Sequence, residues 1–335
     1  MSMYKFIFFI LLFGFSFGVY SQEESPEELL PVITVGANFW SSGGNHFLEH
    51  CAAVACGGES WEESGYTIQG GDPTSRLNYD GYDFSSVEGN VEIQTGNLFI
   101  NGYISSASSD GGTLRDQDWY NIEGYNSFYE ISDTSSDLKG NKRSFTFASI
   151  GYDFNFGQIS AGPFLGMVNY KETLHAYGLE ELDSDYLREA GLTPGPMEGI
   201  DPNEKVISNT AEWSANIFGA RIKLDLDQGI QFNALFGRGQ ASIDNADSHL
   251  LRDDLGPSPN IKTTGNGYAS ILDLNLSYEF MENFLVKAGY RSWELSDEDG
   301  ATRFGPDFTN GYPEEISTES KGMYLGVAYR IPVAQ

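Results

Sequence analysis

Cysteine is scarce in this chain of 335 residues, occurring only at Cys51 and Cys56 in "EHCAAVACGG", and histidine occurs four times. Two cysteines lack the further ligands a structural zinc site needs, and four histidines leave little for a histidine-rich metal centre. Basic residues are few as well: 19 Lys and Arg stand against 48 Asp and Glu, a formal net charge of −29. That field repels phosphate, which argues against nucleic acid and favours cationic ligands or substrates. After the first twenty or so residues no apolar run approaches the roughly 20 residues of a membrane helix.

The start of the chain reads as an export signal. Lys5 precedes an apolar run from Phe6 to Val19, and Val19-Tyr20-Ser21 leads into the acidic stretch "QEESPEE". This layout predicts a signal peptide over 1–21, an acidic leader over 22–30, and one domain over 31–335. Removing a segment with one lysine and no acid takes the formal charge from −29 to −30. In an oxidising compartment Cys51 and Cys56 are expected to close a small disulfide loop.

What is abundant is Tyr, Phe, Gly and alternation. Val87, Gly89, Val91 and Ile93 lie on one face of an extended segment, with Glu88, Asn90, Glu92 and Gln94 on the other. "ILDLNLSYEF" separates Leu272, Leu274, Leu276, Tyr278 and Phe280 from Asp273, Asn275, Ser277 and Glu279, and "GMYLGVAYRI" repeats the pattern. A period of two means strands. About ten are expected, at 31–40, 75–94, 97–106, 142–156, 159–176, 209–226, 230–241, 264–280, 285–295 and 319–331. Short turns ("QTGN", "FGQ", "DQGI", "MENF") alternate with long polar connections at 41–74, 107–141, 177–208, 242–263 and 296–318. A soluble sandwich also alternates, but short turns followed by long loops fit an all-β, single antiparallel transmembrane barrel with long extracellular loops. Arg221, Lys223 and Asp225 alternate along one strand as candidate lumenal ion pairs.

Two loop motifs then stand out. "GGTLRDQDWYN" carries Asp116 and Asp118, and "SIDNADSHLLRDD" carries Asp247 and His249. In extended chain, residues i and i+2 share a face, so Asp247 can orient His249 and the two aspartates can lie side by side. Either motif alone is common in solvated loops. Together, on two rim loops of one barrel, they can polarise and hold a water. His46, His50 and Cys51 in "NHFLEHC" read more simply as a polar loop than as a metal site, and His175 as a rim or lumen residue.

"GGTLRDQDW" with the preceding "YISSASSD", and "DNADSH" after a barrel strand, resemble the omptin family of outer-membrane proteases. The resemblance implies an outer-membrane location in a Gram-negative bacterium and an extracellular cleft that hydrolyses peptides. It implies Asp116, Asp118, Asp247 and His249 as catalytic residues, water as nucleophile, no metal and no cofactor, and a monomer. Acidic pockets for cationic peptide or protein substrates are implied too. Glu63 in "WEESGY", with Glu62 as rival, matches one pocket acid, and Asp133 in "ISDTSSD" is the candidate for another. A third acid is expected two residues before Asp247, where this chain has Asn245, with Asp244 one place off. The family's dependence on lipopolysaccharide points to Tyr170 and Lys171 in "GMVNYKETLH" as contacts with outer-membrane lipid. The chain departs from the usual aromatic barrel terminus by ending "YRIPVAQ". The alternative is a non-catalytic barrel, an adhesin or an inactive scaffold.

Overall fold

A computed structural model describes residues 30–123 and 128–331. The expected signal peptide, most of the leader and the "PVAQ" end lie outside the described residues. Among those described, fifteen strands form one antiparallel sheet. They are β1 (Val32–His50), β2 (Ser60–Glu63), β3 (Tyr66–Thr95), β4 (Leu98–Ser109), β5 (Thr113–Ile122), β6 (Tyr129–Leu138), β7 (Asn141–Tyr152), β8 (Phe154–Phe156), β9 (Ile159–Glu181), β10 (Gly195–Pro196), β11 (Lys205–Leu226), β12 (Ile230–His249), β13 (Ile261–Met281), β14 (Phe284–Phe304) and β15 (Tyr312–Ile331). One short helix, α1 (Asp185–Ala190), sits between β9 and β10, with Ser184 capping its N-terminus.

Ten strands close the lower ring: β1 pairs with both β15 and β3, and the circuit continues through β4, β7, β9, β11, β12, β13 and β14. β5 continues β4 upward and β6 leads down into β7. Above residue 110 this second pair takes over between β3 and β9. The expected short turns are where the sequence placed them. Gly96 and Asn283 take left-handed backbone there, as tight hairpins require.

The alternation resolves with its apolar side outward. Val87 is 70% exposed while Glu88 is fully buried in the lumen, and Leu165, Met167, Met323 and Leu325 stand out on the same belt. An apolar exterior over a polar interior is the arrangement lipid selects. Inside, Arg221 bonds Asp153 and lies 3.3 Å from Glu92, and Lys223 sits 2.5 Å from Glu92, so the expected lumenal ion pairs are present. Asp225 is the exception and takes a hydrogen bond from Gln231.

The strands run much further than the alternation suggested. Most of 41–74 and 107–141, expected as loop, is strand. Above the lipid belt the outward face meets water, so its residues turn polar and the period-two contrast fades while backbone pairing continues. The 20 residues of β12 rise roughly 50 Å at about 3.3 Å per residue and a tilt near 40°, against an apolar band of about 25 Å. The barrel therefore carries a tall sheet-walled rim. Cys51 and Cys56 are bonded in a turn at the top of β1.

Candidate active site

The rim walls position the two acid motifs rigidly, because both belong to strands and not to loops. Asp116 and Asp118 lie on β5, opposite Leu77 and Ser75 of β3. Asp247 and His249 end β12, with Asp247 opposite Asn209 of β11 and Ile261 of β13. β5 and β12 stand on facing sides of the ring. Their side chains meet in one cleft, where each pair acts electrostatically on the other.

The shared face of residues i and i+2 brings His249 Nε2 to 3.1 Å from Asp247 Oδ2. With Nε2–H donating to this carboxylate, Nδ1 is left to accept a proton, and Nδ1 has no hydrogen-bond partner among the described residues. Asn260 holds the strand end. Its Oδ1 accepts from the His249 amide at 2.9 Å, its Nδ2 donates to the His249 carbonyl at 3.0 Å, and its own amide donates to the Asp247 carbonyl. The Ser248 amide donates to Asp247 Oδ1 at 2.9 Å, so both carboxylate oxygens are engaged. Such fixing limits what the imidazole can do to one geometry.

The titration behaviour follows from burial and charge. Burial and the adjacent Asp118 push Asp116 up to about 7, against the pull of His249. Burial raises Asp118 as well, opposed by a hydrogen bond with Ser75 and by His249. For His249, burial acts downward, but Asp247, the bond to it and the two facing aspartates together lift it to about 9. His50 is driven down to about 4 by burial and then by the nearby His249 charge. Deeper in the lumen His46 is also lowered to about 4, by burial; its Nδ1 lies 2.8 Å from Thr318 Oγ1. Burial pushes Glu314, opposite His50 on β15, up to about 8. The cleft thus combines an imidazole with strong proton affinity and an acid pair that can hold one proton near neutrality. A water between them could lose a proton to one wall and be oriented by the other.

The pocket candidates fall in different places. Glu63 is exposed at the end of the β2 hairpin, where Trp61 Nε1 donates to it at 3.4 Å. Glu63 also acts through space on Tyr120, which shares the β5 face of the aspartates, so it lies at the cleft. Its rival Glu62 takes a bond from Thr67. Asn245 is fully buried on the face of Asp247, and neither of its amide atoms has a hydrogen-bond partner among the described residues. Asp133 is buried and held by Arg115 through two bonds of 2.9 and 2.7 Å, so its charge is already matched. Asp244 points the other way, to the exterior, opposite Glu212. Tyr170 does not face lipid: it is 2% exposed, turned into the lumen, and donates to Glu172 at 2.8 Å. Lys171 is outward and ion-paired with Glu212 at 2.6 Å. His46 and His50 belong to β1 and not to a loop, and Cys51 is bonded to Cys56, which removes it as a metal ligand. His175 is half-buried, its Nδ1 2.9 Å from Ser208 Oγ.

Sequence reasoning missed Asn260, Ser75 and Glu314, and read His50 as part of a polar loop. Each reaches the cleft through strand register, 13 to 197 positions from Asp247.

No protein-family model matches the sequence, and neither does any curated protein. Solved structures match the fold. One is the outer-membrane protease OmpT from Escherichia coli, with 12% identity, a TM-score of 0.68, and 90% of this chain covering 97% of that one. The fold is that of an outer-membrane β-barrel. A FadL homologue from Pseudomonas aeruginosa follows at 8% identity, 89% of each chain and a TM-score of 0.29. The translocator domain of the autotransporter NalP from Neisseria meningitidis stands at 12%, 93% and 90% coverage, and 0.29.

Proposed function

We propose that this chain is an outer-membrane endopeptidase of omptin type, cleaving peptide bonds next to basic residues at a cleft facing the cell exterior. One observation carries the reading: an oriented Asp247–His249 pair faces the Asp116–Asp118 pair at the open end of an OmpT-like barrel. His249, in its neutral form, takes a proton from a water through Nδ1, and Asp247 stabilises the imidazolium that results. Asp116 and Asp118 hold the water against the scissile carbonyl, and the proton they share goes to the oxyanion of the tetrahedral intermediate. The imidazolium then gives its proton to the departing amine, and as the C–N bond breaks one hydroxyl of the intermediate returns a proton to the acid pair, leaving the carboxylic acid product. Each group thereby ends with the protonation it began with.

The acidic rim, with Glu63 at the cleft, favours cationic peptides. The test is peptide cleavage by the folded barrel with lipopolysaccharide, wild type beside His249→Ala. Loss of roughly 10²–10⁴ in turnover with the barrel still folded is expected. Full activity in His249→Ala would sink the mechanism, as would loss with EDTA that zinc restores.

A further inference from the structure

Three of the four histidines have a ring nitrogen engaged by the protein: His46 with Thr318, His175 with Ser208 and His249 with Asp247. His50 is the fourth. Neither of its ring nitrogens has a hydrogen-bond partner among the described residues.

Strand register puts this free imidazole on the wall that joins the two acid walls. His50 ends β1, opposite Ser75 of β3 on one side and Glu314 of β15 on the other. Ser75 in turn stands opposite Asp118 of β5 and bonds it, so His50 is two strands from the acid pair. From the far wall His249 and Asp247 both act on it electrostatically. The half-buried ring meets Phe304 edge-on, with centroids 5.2 Å apart, a contact that orients the ring and uses neither nitrogen.

Its charge is fixed as well. Burial and then the His249 charge hold His50 at about 4, so the ring is neutral wherever the cleft can react. Glu314, pushed up to about 8 by burial, offers it no counter-charge at neutrality. A neutral imidazole carries one N–H donor. An imidazolium here would oppose the one that forms on His249, whereas a neutral N–H does not. A fixed neutral donor stabilises a carbonyl oxygen that gains negative charge during reaction.

We propose that His50 is a further catalytic residue, whose neutral N–H donates to the carbonyl oxygen of the scissile bond as that oxygen gains charge. It takes one lone pair of the oxygen, and the proton from the Asp116–Asp118 pair goes to the other. No proton leaves His50, so the proton balance of the reaction is unchanged. The role rests on the peptidase reading of the cleft.

The test is steady-state cleavage of a basic fluorogenic peptide by the folded full-length barrel with lipopolysaccharide. His50→Ala, His50→Asn and His50→Gln are compared with wild type and His249→Ala. Asn carries its amide nitrogen near the place of Nδ1 and Gln near that of Nε2, so one of the two can restore the donor. His50→Ala should lower kcat by about 10²–10³ while KM stays within about threefold. One amide variant should recover at least about tenfold of that loss, and its identity names the nitrogen that carries the proton. The pH limits of activity should stay in place, because no charge is removed. The proposal is overturned if His50→Ala keeps the wild-type kcat, if the loss falls on KM alone, if the pH limits move, or if both amide variants are as slow as His50→Ala. Should His50→Ala not fold, equal rates in His50→Asn and His50→Gln overturn it. Full activity in His249→Ala overturns the peptidase reading itself, an outcome distinct from all of these.

Discussion

The pH dependence of cleavage follows from the two cleft walls. The reactive form has His249 neutral and one proton on the acid pair, yet His249 is held at about 9 and Asp116 at about 7. Between those values most molecules carry the opposite arrangement, imidazolium and ionised aspartate. The gap makes the reactive form about 1% of the total, an uphill step of about 3 kcal/mol at 1.36 kcal/mol per pH unit. Raising pH one unit within this window costs tenfold in protonated Asp116 and gains tenfold in neutral His249. The product does not change. kcat/KM for a fluorogenic peptide should therefore be flat from about pH 7 to 9 and fall about tenfold per unit on either side, the two limbs belonging to the coupled group as a whole. Asp118→Asn removes a charge that raises Asp116 more than it raises His249. The acid limb should move down further than the alkaline one, widening the plateau and lowering it. A single rise near pH 6.5 with no fall above it is what an unperturbed histidine base gives, and that profile would refute the electrostatic account of the cleft.

Three further outcomes separate structural from substrate-binding acids. Asp133→Asn leaves Arg115 without its buried partner and should cost about 1–3 kcal/mol in denaturant unfolding, while cleavage of basic and neutral peptides changes by the same factor. Glu314, pushed up to about 8 by burial, holds a proton when folded that the unfolded chain releases at its ordinary value. Stability is thus lost as pH rises from the unfolded value toward 8, and Glu314→Gln should unfold later than wild type at pH 9, by on the order of a few kcal/mol, but not at pH 4. Glu63→Gln should reduce kcat/KM for Arg- or Lys-containing peptides more than for neutral ones, with a remaining preference that narrows but survives at high salt, since close pairing is screened less than the long-range field.

The fold was legible wherever lipid imposed a contrast. Met323, Leu325 and Val327 must be apolar because they face hydrocarbon, and Tyr324 and Arg330 can be polar because they do not, so β15 declared itself over its lower half. Its upper part, Tyr312 to Thr318, faces water outside and a polar cleft inside. No hydrophobic contrast survives there, and that stretch was misread as loop. The same loss hid the upper part of β3 and all of β5, although the backbone ladder runs through both.

Within the site, legibility depended on sequence distance. The Asp247–His249 bond is fixed by local geometry, two residues apart on one strand, and could be anticipated from the chain alone. The pocket could not, because facing is decided by parity: Asp244 and Asn245 differ by one position and point to opposite sides of the barrel wall. The same parity sends Tyr170 into the lumen and Lys171 outward. Asp133 has the right parity and fails for another reason, since Arg115 reaches it across the β5–β6 pair. A carboxylate serves a cationic substrate only if the fold leaves it facing the cleft without a counter-ion. Of the pocket acids nominated from sequence, Glu63 meets both conditions, so under the proposed function charge selection would turn on the β2 hairpin.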